Sequence, residues 1–313
     1  MRAAALAGGV GGAKLADGLQ RSLAPGGFSV VVNTADDFDL WGLRICPDLD
    51  TVMYALAGVA NPETGWGVAG DSFRMLEMLA SYGEDPWFKL GDRDLATHVL
   101  RTARLRAGFS LTEVTRDLSS ALGAGAGILP MCDEAVSTVL RTPGGTLEFQ
   151  EYFVRRGQRD EVLGVELRGI EGARPTKAVL EALSGADLVV LCPSNPVVSV
   201  GPILAVPGMR KAIEVSRGPK VAVSPIVGGR ALKGPADRML ASLGHEVSAA
   251  GVARIYEGLV DGFVVDRADE EQRARIEALG MRVLVTDAVM RDETDRARLA
   301  REVLEFGIAL AGG

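Results

Sequence analysis

The chain of 313 residues is 47% hydrophobic and 24% charged, which is the composition of an ordinary globular protein and argues against a disordered one. Its formal net charge is −7, from 34 Lys and Arg against 41 Asp and Glu, so no basic excess is present to displace counterions and we expect no nucleic-acid partner. No apolar stretch approaches the roughly 20 residues of a membrane span, and the three cysteines lack metal-binding spacing, so we expect a cytoplasmic protein without membrane contact or structural zinc.

Residues 3–32 predict a βαβ unit. A short buried strand at Ala3–Ala7 is followed by a glycine-rich turn at 8–12, a helix at 13–21 and a second apolar strand at Phe28–Val32. Strand, helix and strand in this order pair in parallel, so the pattern predicts a parallel sheet.

The next region, about residues 52–125, has mostly helical patterns. Apolar residues recur at amphipathic spacing over 71–82 and 92–106, and Ser110 and Glu113 form a capping box that opens a further helix. We expect a helical insertion over the core that carries the sheet, within a single domain of residues 1–313.

Strand–helix alternation then returns and completes a Rossmann-like α/β fold with a parallel central sheet. The predicted strands lie at 127–131, 137–141, 146–155, 162–168, 187–191, 220–223, 262–265 and 282–285, and the predicted helices at 176–183, 207–215 and 296–310.

A glycine-rich segment, Gly8-Gly9-Val10-Gly11-Gly12-Ala13-Lys14, follows the first strand. Backbone without side chains lets a ligand approach closely, and the start of a helix favours anions, so the segment predicts a diphosphate site. The expected contacts are Gly9, Gly11, Gly12 and Lys14. The segment is neither a P-loop nor a complete dinucleotide fingerprint, since Lys14 stands where the third glycine belongs. A tight structural turn is the alternative interpretation.

An acidic segment, Asn33-Thr34-Ala35-Asp36-Asp37-Phe38-Asp39, follows the second strand. Ligands of open α/β sheets bind at the carboxyl ends of strands, and carboxylates there repel a phosphate unless a cation lies between them. Mg²⁺ binds a few carboxylates together with phosphate oxygens, so the segment indicates a Mg²⁺ site. The alternative is a solvated turn capped by its own Asp and Asn side chains.

A helix start at Pro47 and Asp48 comes soon after this segment, with Asp48 as its expected N-cap residue. Asp50 lies within the first turn of the same helix. It is therefore the better candidate for a metal ligand or a catalytic base.

Two further loops carry candidate binding residues. Ser194 and Asn195, after the strand at 187–191, offer hydrogen bonds to a ligand, although an ordinary βα turn is the alternative. Lys89 and Arg93 are candidates for binding ligand oxygens, with a salt bridge at a helix cap as the alternative. No Ser/His/Asp or Cys/His arrangement is visible, which argues against a side-chain nucleophile.

Together these motifs resemble those of the 2-phospho-L-lactate transferase family, which acts in the biosynthesis of the deazaflavin coenzyme F(420). The motifs that carry the resemblance lie in the same order along most of the chain, at residues 8–14, 33–37, 46–51, 65–67, 90–98, 192–196 and 224–226.

The resemblance implies a reaction in which a guanosine diphosphate ester of lactate or enolpyruvate donates its phospho-acid half. The acceptor is the terminal ribityl hydroxyl of 7,8-didemethyl-8-hydroxy-5-deazariboflavin, and GMP leaves. It also implies a Mg²⁺ requirement and a homodimer.

Site residues follow from the same resemblance. Asp50 and Lys89 match positions that bind the deazaflavin, and Asp36 and Asp50 match metal-binding carboxylates. The glycine-rich segment and the loop with Ser194 and Asn195 would hold the guanine nucleotide.

Two alternatives stay open from the residues alone. A non-catalytic sugar-nucleotide-binding regulator would share the glycine-rich and acidic segments, but would not need Trp66 or the 89–93 region. An NAD-dependent oxidoreductase would use an acidic residue after the second strand, but the missing third glycine and the extra aspartates count against it.

Overall fold

A seven-stranded parallel sheet forms the centre of the fold in the computed structural model, which describes residues 1–312. The strands are β1 (Ala3–Ala7), β2 (Phe28–Val32), β3 (Phe38–Leu40), β4 (Leu43–Ile45), β5 (Gly127–Pro130), β6 (Ser137–Thr142), β7 (Gly145–Glu148), β8 (Gly164–Arg168), β9 (Leu188–Leu191), β10 (Lys220–Val223), β11 (Ile226–Val227), β12 (Arg230–Ala231), β13 (Gly262–Asp266) and β14 (Arg282–Thr286). The central sheet has the order β14-β13-β10-β9-β1-β2-β5, and every neighbouring pair is parallel. The predicted α/β fold with a parallel sheet is confirmed.

Helices cover both faces of this sheet. They are α1 (Gly9–Ser22), α2 (Pro47–Leu56), α3 (Arg74–Ser81), α4 (Asp92–Arg106), α5 (Leu111–Ala121), α6 (Lys177–Ser184), α7 (Val200–Ala205), α8 (Met209–Glu214), α9 (Ala236–Ser242), α10 (Ala249–Ile255), α11 (Arg273–Glu277) and α12 (Glu293–Ala311). One core lies between the sheet and α1, α2, α5 and α12, and the other between the sheet and α6, α7, α8, α10 and α11. All five residues of β1 are buried, as expected for a strand covered on both faces.

Helices α3, α4 and α5 lie in the region in which the sequence predicts a helical insertion. The capping box of α5 is present, with the hydroxyl of Ser110 accepting from the backbone N–H of Glu113. Helix α3 begins at Arg74 rather than at residue 71, because Asp71 instead accepts hydrogen bonds from the backbone N–H groups of Arg93 and Asp94. The extent of the domain itself stays a prediction.

The sequence prediction is wrong for the strand at 146–155. Strand β7 ends at Glu148, and a single π-helical turn follows at Glu151–Arg155. Phe149 and Phe153, four residues apart, stack with ring centroids 5.5 Å apart, and Tyr152 is buried. Spacings of three and four residues place side chains on one helical face, so the alternation seen in the sequence does not continue as a strand.

Strands β6, β7 and β8 form a separate antiparallel sheet beside the central one, and β3 pairs with β4 in a hairpin. Short 3₁₀ turns lie at Ile170–Gly172 and Arg267–Gln272. None of the helices in residues 1–312 has the length and apolar character to cross a membrane.

Candidate functional site

A cavity of about 950 Å³ opens where the strands of the central sheet end. Its wall includes residues from the loops that follow β1, β2, β9, β10 and β14, among them Gly8, Asp36, Ser194, Ser224 and Ala288. Binding sites of open α/β sheets lie at this carboxyl edge. The cavity therefore brings the glycine-rich segment, the acidic segment and the loop after β9 to one place, as the sequence predicts.

The glycine-rich segment is the first turn of α1 rather than a free loop, since α1 begins at Gly9. The backbone N–H of Gly8 donates to the hydroxyl of Ser194 at 3.0 Å, and that hydroxyl donates to the carbonyl of Gly8 at 2.8 Å. The N–H of Gly9 donates to Asp48 Oδ1 at 2.8 Å. Side chains from two other loops thus fix the start of α1.

Close packing explains two of these glycines. A Cβ atom at Gly11 would overlap the carbonyl oxygen of Pro193, and one at Gly12 would overlap the hydroxyl of Ser194. Gly9 differs, because its φ of +62° favours glycine while the nearest atom to an added Cβ, Asp48 Oδ1, lies at 3.8 Å. Gly11 and Gly12 are therefore required by packing in any case, and their contact with phosphate stays a prediction.

Lys14 reaches the cavity from the second turn of α1. Its Nζ donates to the carbonyl oxygen of Met290 at 2.7 Å. Burial, followed by the positive charges of Arg296 and Lys233, lowers the pKa of Lys14. An anion bound beside this ammonium group would counter that effect.

Asn33 connects two buried carboxylates of the cavity wall. Its Nδ2 lies 3.1 Å from Asp36 Oδ2 and 3.0 Å from Asp48 Oδ2. Burial, with the charge of Asp48 next, raises the pKa of Asp36 well above its usual range, and burial raises the pKa of Asp48 to about 6. Asp36 Oδ1 is buried without a hydrogen-bond partner. A cation at this point would offset both the burial and the repulsion.

Asp48 is not the N-cap residue that the sequence predicts. Cys46 occupies the N-cap position of α2, and the carboxylate of Asp48 instead accepts from Gly9 and Asn33. The reason is tertiary, because the start of α1 supplies an N–H group that competes with the local cap.

Asp37 and Asp39, the other acidic residues of the segment, have different surroundings. Both carboxylate oxygens of Asp37 are buried without a hydrogen-bond partner, and the nearest cation is Arg44 at 3.9 Å. Burial raises the pKa of Asp37 to about 7. The side chain of Asp39 is 72% exposed, so it does not belong to the buried group.

Asp50 lies in a separate polar network on the cavity wall. Arg101 Nη1 donates to Asp50 Oδ2 at 2.9 Å, and Arg101 Nη2 donates to Asp50 Oδ1. His98 lies between two carboxylates, with Nδ1 3.6 Å from Asp50 Oδ2 and Nε2 3.2 Å from Asp94 Oδ1. Tyr54 donates its hydroxyl to Asp94 Oδ1 at 2.7 Å. Asp36 and Asp50 line the same cavity, but their carboxylates have no partner in common.

Arg101 and Asp94 were not among the site residues predicted from the sequence. A signal was present, because Asp94, His98 and Arg101 are four and three residues apart and therefore share one face of α4. Asp50, Asp94 and His98 each offer one possible ligand atom, and these atoms lie within 4.8 Å of one another.

Lys89 and Arg93, the two basic residues predicted to bind ligand oxygens, differ in their position relative to the cavity. Lys89 lines the cavity. Arg93 is exposed and donates to the carbonyl of Ala69 at 3.2 Å, and it is not part of the cavity wall. Its proposed role in substrate binding therefore has no geometric support here, since its side chain is directed to another loop.

Ser194 and Asn195 also line the cavity, but their side chains shape the loop itself. The hydroxyl of Ser194 donates a hydrogen bond to the carbonyl oxygen of Gly8. Asn195 Oδ1 accepts hydrogen bonds from the N–H groups of Val197 and Val198. Contacts between this loop and a nucleotide stay a prediction.

Aromatic side chains form another part of the wall. They are Tyr54, Trp66, Trp87, Phe88, Phe149 and Phe153. Flat, polarisable rings of this kind bury flat aromatic ligands well. The cavity thus combines an aromatic wall with charged groups, which suits a ligand that has a flat ring system and a polar chain.

Comparisons with known proteins agree with this architecture. The model of the family described as 2-phospho-L-lactate transferase CofD matches residues 4–304. A phosphoenolpyruvate transferase of Streptomyces griseus is 46% identical over 312 residues, covering 98% of each chain. A 2-phospho-L-lactate transferase of Methanosarcina acetivorans is 42% identical over 305 residues, covering 97% of each chain. The crystal structure of a UPF0052-family protein from Bacillus halodurans, 17% identical, has a similar fold, with a TM-score of 0.66 over 97% of this chain and 98% of that chain.

Proposed function

The chain belongs to the 2-phospho-L-lactate transferase CofD family, and from this premise we propose that it transfers a phospholactyl or phosphoenolpyruvyl group to a deazaflavin. The donor is the guanosine diphosphate ester of lactate or enolpyruvate, and the acceptor is the ribityl hydroxyl of 7,8-didemethyl-8-hydroxy-5-deazariboflavin. The acceptor oxygen bonds to the phosphorus that carries the acid, the bond from that phosphorus to GMP breaks, and the hydroxyl proton is released. The product leads to coenzyme F(420).

The observation that carries this proposal is the composition of the cavity at the sheet edge. Its volume of about 950 Å³ lies near the upper end of the range for small-molecule sites, about 300–1,000 Å³, as a site for large substrates requires. Aromatic side chains such as Trp66 and Trp87 would stack on the deazaflavin, and Lys14 would pair with the diphosphate.

Asp50 and Lys89 would bind the acceptor in this arrangement. Arg101 holds both oxygens of Asp50 by hydrogen bonds, so the carboxylate has a fixed direction from which it can accept a hydrogen bond from the ribityl hydroxyl. Orientation of an attacking hydroxyl is a large part of catalysis in phosphoryl transfer. We propose that Asp50 supplies it, and a role as proton acceptor stays a prediction.

The buried carboxylates fit a Mg²⁺ ion. Asp36 has an unpartnered buried oxygen beside the carboxylate of Asp48, and hard cations prefer such oxygen ligands. We propose that Asp36 and Asp50 hold the ion, with the unpartnered oxygen of Asp36 as the ligand that has no competing hydrogen bond. Bound Mg²⁺ supplies charge neutralisation for the leaving phosphate.

The test is a product assay with the purified chain, Mg²⁺, the deazaflavin and each guanylyl donor in parallel. We expect GMP release together with a deazaflavin product whose mass increases by the phospho-acid group. The donor with the higher kcat/KM identifies the group that is transferred. GMP release that does not depend on the deazaflavin would indicate a hydrolase, and no turnover of either donor would refute the proposed reaction.

We also propose that the protein acts in the cytoplasm as a homodimer. The family resemblance alone supports this proposal. Light scattering of the purified protein gives the test, and a particle with the mass of one chain would contradict it.

A further inference from the structure

Three lysines of the cavity wall lack a carboxylate partner. Lys14, Lys89 and Lys233 all line the cavity, and within residues 1–312 none of them forms an ion pair. Two exposed lysines away from the cavity are paired, Lys177 with Glu181 and Lys211 with Glu214. The cavity wall therefore carries three ammonium groups that are free to bind an anion.

Lys14 and Lys233 reach the cavity from different elements. Lys14 lies on α1, and Lys233 lies in the segment between β12 and α9. Each ammonium group donates to one backbone carbonyl, Lys14 to Met290 at 2.7 Å and Lys233 to Thr64 at 3.1 Å. An ammonium group has three N–H donors, so two remain on each lysine for another acceptor.

The two ammonium groups also act on each other. Burial lowers the pKa of Lys14, and the charges of Arg296 and then Lys233 lower it further. Arg291, another cation of the wall, is already balanced by Asp287 and Asp295 at 3.3 and 3.4 Å. Like charges held near one another without an anion are destabilising, and an oxyanion between them reverses the sign of that interaction.

Lys233 also connects the glycine-rich segment to the loop that carries Trp66. Thr64, which accepts from Lys233, and Trp66 both line the cavity. A Cβ atom added at Gly65 would lie 2.7 Å from Val10 Cγ1 and 3.4 Å from Lys233 Nζ, so this loop packs directly on α1. Gly65 thus lies close both to Lys233 and to Val10 in the first turn of α1, and the N–H groups at the start of a helix attract anions.

We propose that Lys233 is a donor-binding residue, which contacts phosphate oxygens of the donor together with Lys14 on the wall of the same cavity. The identity of the donor rests on the proposed function, whereas the oxyanion site rests on the lysine geometry. Lys233 would keep its hydrogen bond to the carbonyl oxygen of Thr64 while it contacts the donor phosphate. Its side chain would therefore link the phosphate to the loop that carries Trp66.

The experiment measures binding of inorganic pyrophosphate by calorimetry, in the presence of Mg²⁺, to the native protein and to three variants. Lys233→Gln should weaken binding about tenfold to a hundredfold, the scale for loss of one charge-assisted hydrogen bond. Lys233→Arg should restore most of the affinity. Lys211→Gln, which removes the same charge from an exposed position of α8, is the matched control and should bind like the native protein.

Equal affinity in Lys233→Gln and Lys211→Gln would overturn the proposal, as would a native protein that does not bind pyrophosphate. A parallel titration with GDP separates the proposed function from this inference. If pyrophosphate binding depends on Lys233 but GDP binds no better than pyrophosphate, the oxyanion site stands and the guanine donor fails.

Discussion

Arg101 donates hydrogen bonds to both carboxylate oxygens of Asp50 on the wall of the cavity. The two side chains are 1% and 7% exposed, so the pair is almost entirely buried. A buried pair loses much more free energy when one partner is removed than a surface pair does, because the other charge is left without compensation. Asp50 therefore has a structural role in addition to its proposed role toward the substrates.

Asp50→Asn should reduce both turnover and stability. We expect turnover to fall about a hundredfold or more, the scale for loss of an electrostatic or acid–base group. We also expect the free energy of unfolding to fall by about 3–5 kcal/mol, because Arg101 is left buried with a neutral partner. GMP release and urea unfolding measure the two effects.

Asp39→Asn is the control for this variant, since it removes a carboxylate of the acidic segment whose side chain is 72% exposed. It should change neither quantity appreciably. If Asp50→Asn keeps near-normal turnover at low Mg²⁺, Asp50 is only a structural partner of Arg101.

Gly11→Ala should destabilise the protein more than Gly9→Ala. The added Cβ overlaps the backbone carbonyl of Pro193, which cannot rotate away, and overpacking of this kind costs about 1–3 kcal/mol. At Gly9 the space is open and only the φ of +62° is unfavourable, at about 1–2 kcal/mol. Thermal unfolding of the two variants provides the comparison.

This difference also decides which variant tests the phosphate site. Lost nucleotide binding in a Gly11 variant would be ambiguous, because α1 and the loop after β9 would separate. Gly9→Ala is the cleaner probe of phosphate contact. Equal melting temperatures of the two variants would contradict the packing argument.

The sequence predicts local structure well where local signals dominate. Strand β10 and helix α4 have their predicted bounds, and the capping box of α5 depends on two residues three positions apart. The strand prediction at 146–155 was wrong because the apolar residues of this segment also fit a helical turn. The burial of Tyr152 distinguishes the helical turn from the strand, and it is set by tertiary packing.

The sequence predicts the site less completely, because its important pairs are distant along the chain. The motif positions make Asp36 and Asp50 candidates but do not show their partners. The spacing of Asp94, His98 and Arg101 predicts a shared helical face, but it does not show that Arg101 pairs with Asp50, 51 residues away, and Gly9 lies 39 residues before Asp48. Tertiary packing sets these contacts, and a single sequence contains no direct record of it.

The stability of the metal-free protein should decrease as pH rises. Burial raises the pKa of Asp37 to about 7 and that of Asp48 to about 6, against about 3.9 for an unfolded Asp. Between the pKa of an unfolded Asp and these raised pKa values, the native state binds more protons than the unfolded state. The free energy of unfolding therefore falls from about pH 4 to about pH 7. Urea unfolding in EDTA at pH 5, 6, 7 and 8 should show a loss of a few kcal/mol.

Asp37→Asn should make this pH dependence smaller, whatever its effect on absolute stability, because it removes one of the titrating groups. Asp39→Asn should leave the slope unchanged, since its side chain is exposed. A native protein that is as stable at pH 8 as at pH 5 would contradict the prediction, as would an unchanged slope in Asp37→Asn.

Mg²⁺ should raise the melting temperature of the native protein, and Asp36→Asn should reduce that increase. A ligand that binds only the native state stabilises it by RT ln(1 + [L]/Kd), so a weaker site gives a smaller shift at the same Mg²⁺ concentration. Asp36 is the most direct candidate because its Oδ1 is buried without a partner, whereas both oxygens of Asp50 already accept from Arg101. We therefore expect Asp36→Asn to weaken the Mg²⁺ effect more than Asp50→Asn does, and Asp39→Asn to leave it intact.

The measurement is a set of melting curves over a series of Mg²⁺ concentrations at pH 8. The melting temperature of each variant without metal serves as its own baseline, which separates metal affinity from stability. A larger loss in Asp50→Asn would mean that Mg²⁺ displaces Arg101 from Asp50, and equal shifts in all three variants would mean that the ion binds elsewhere.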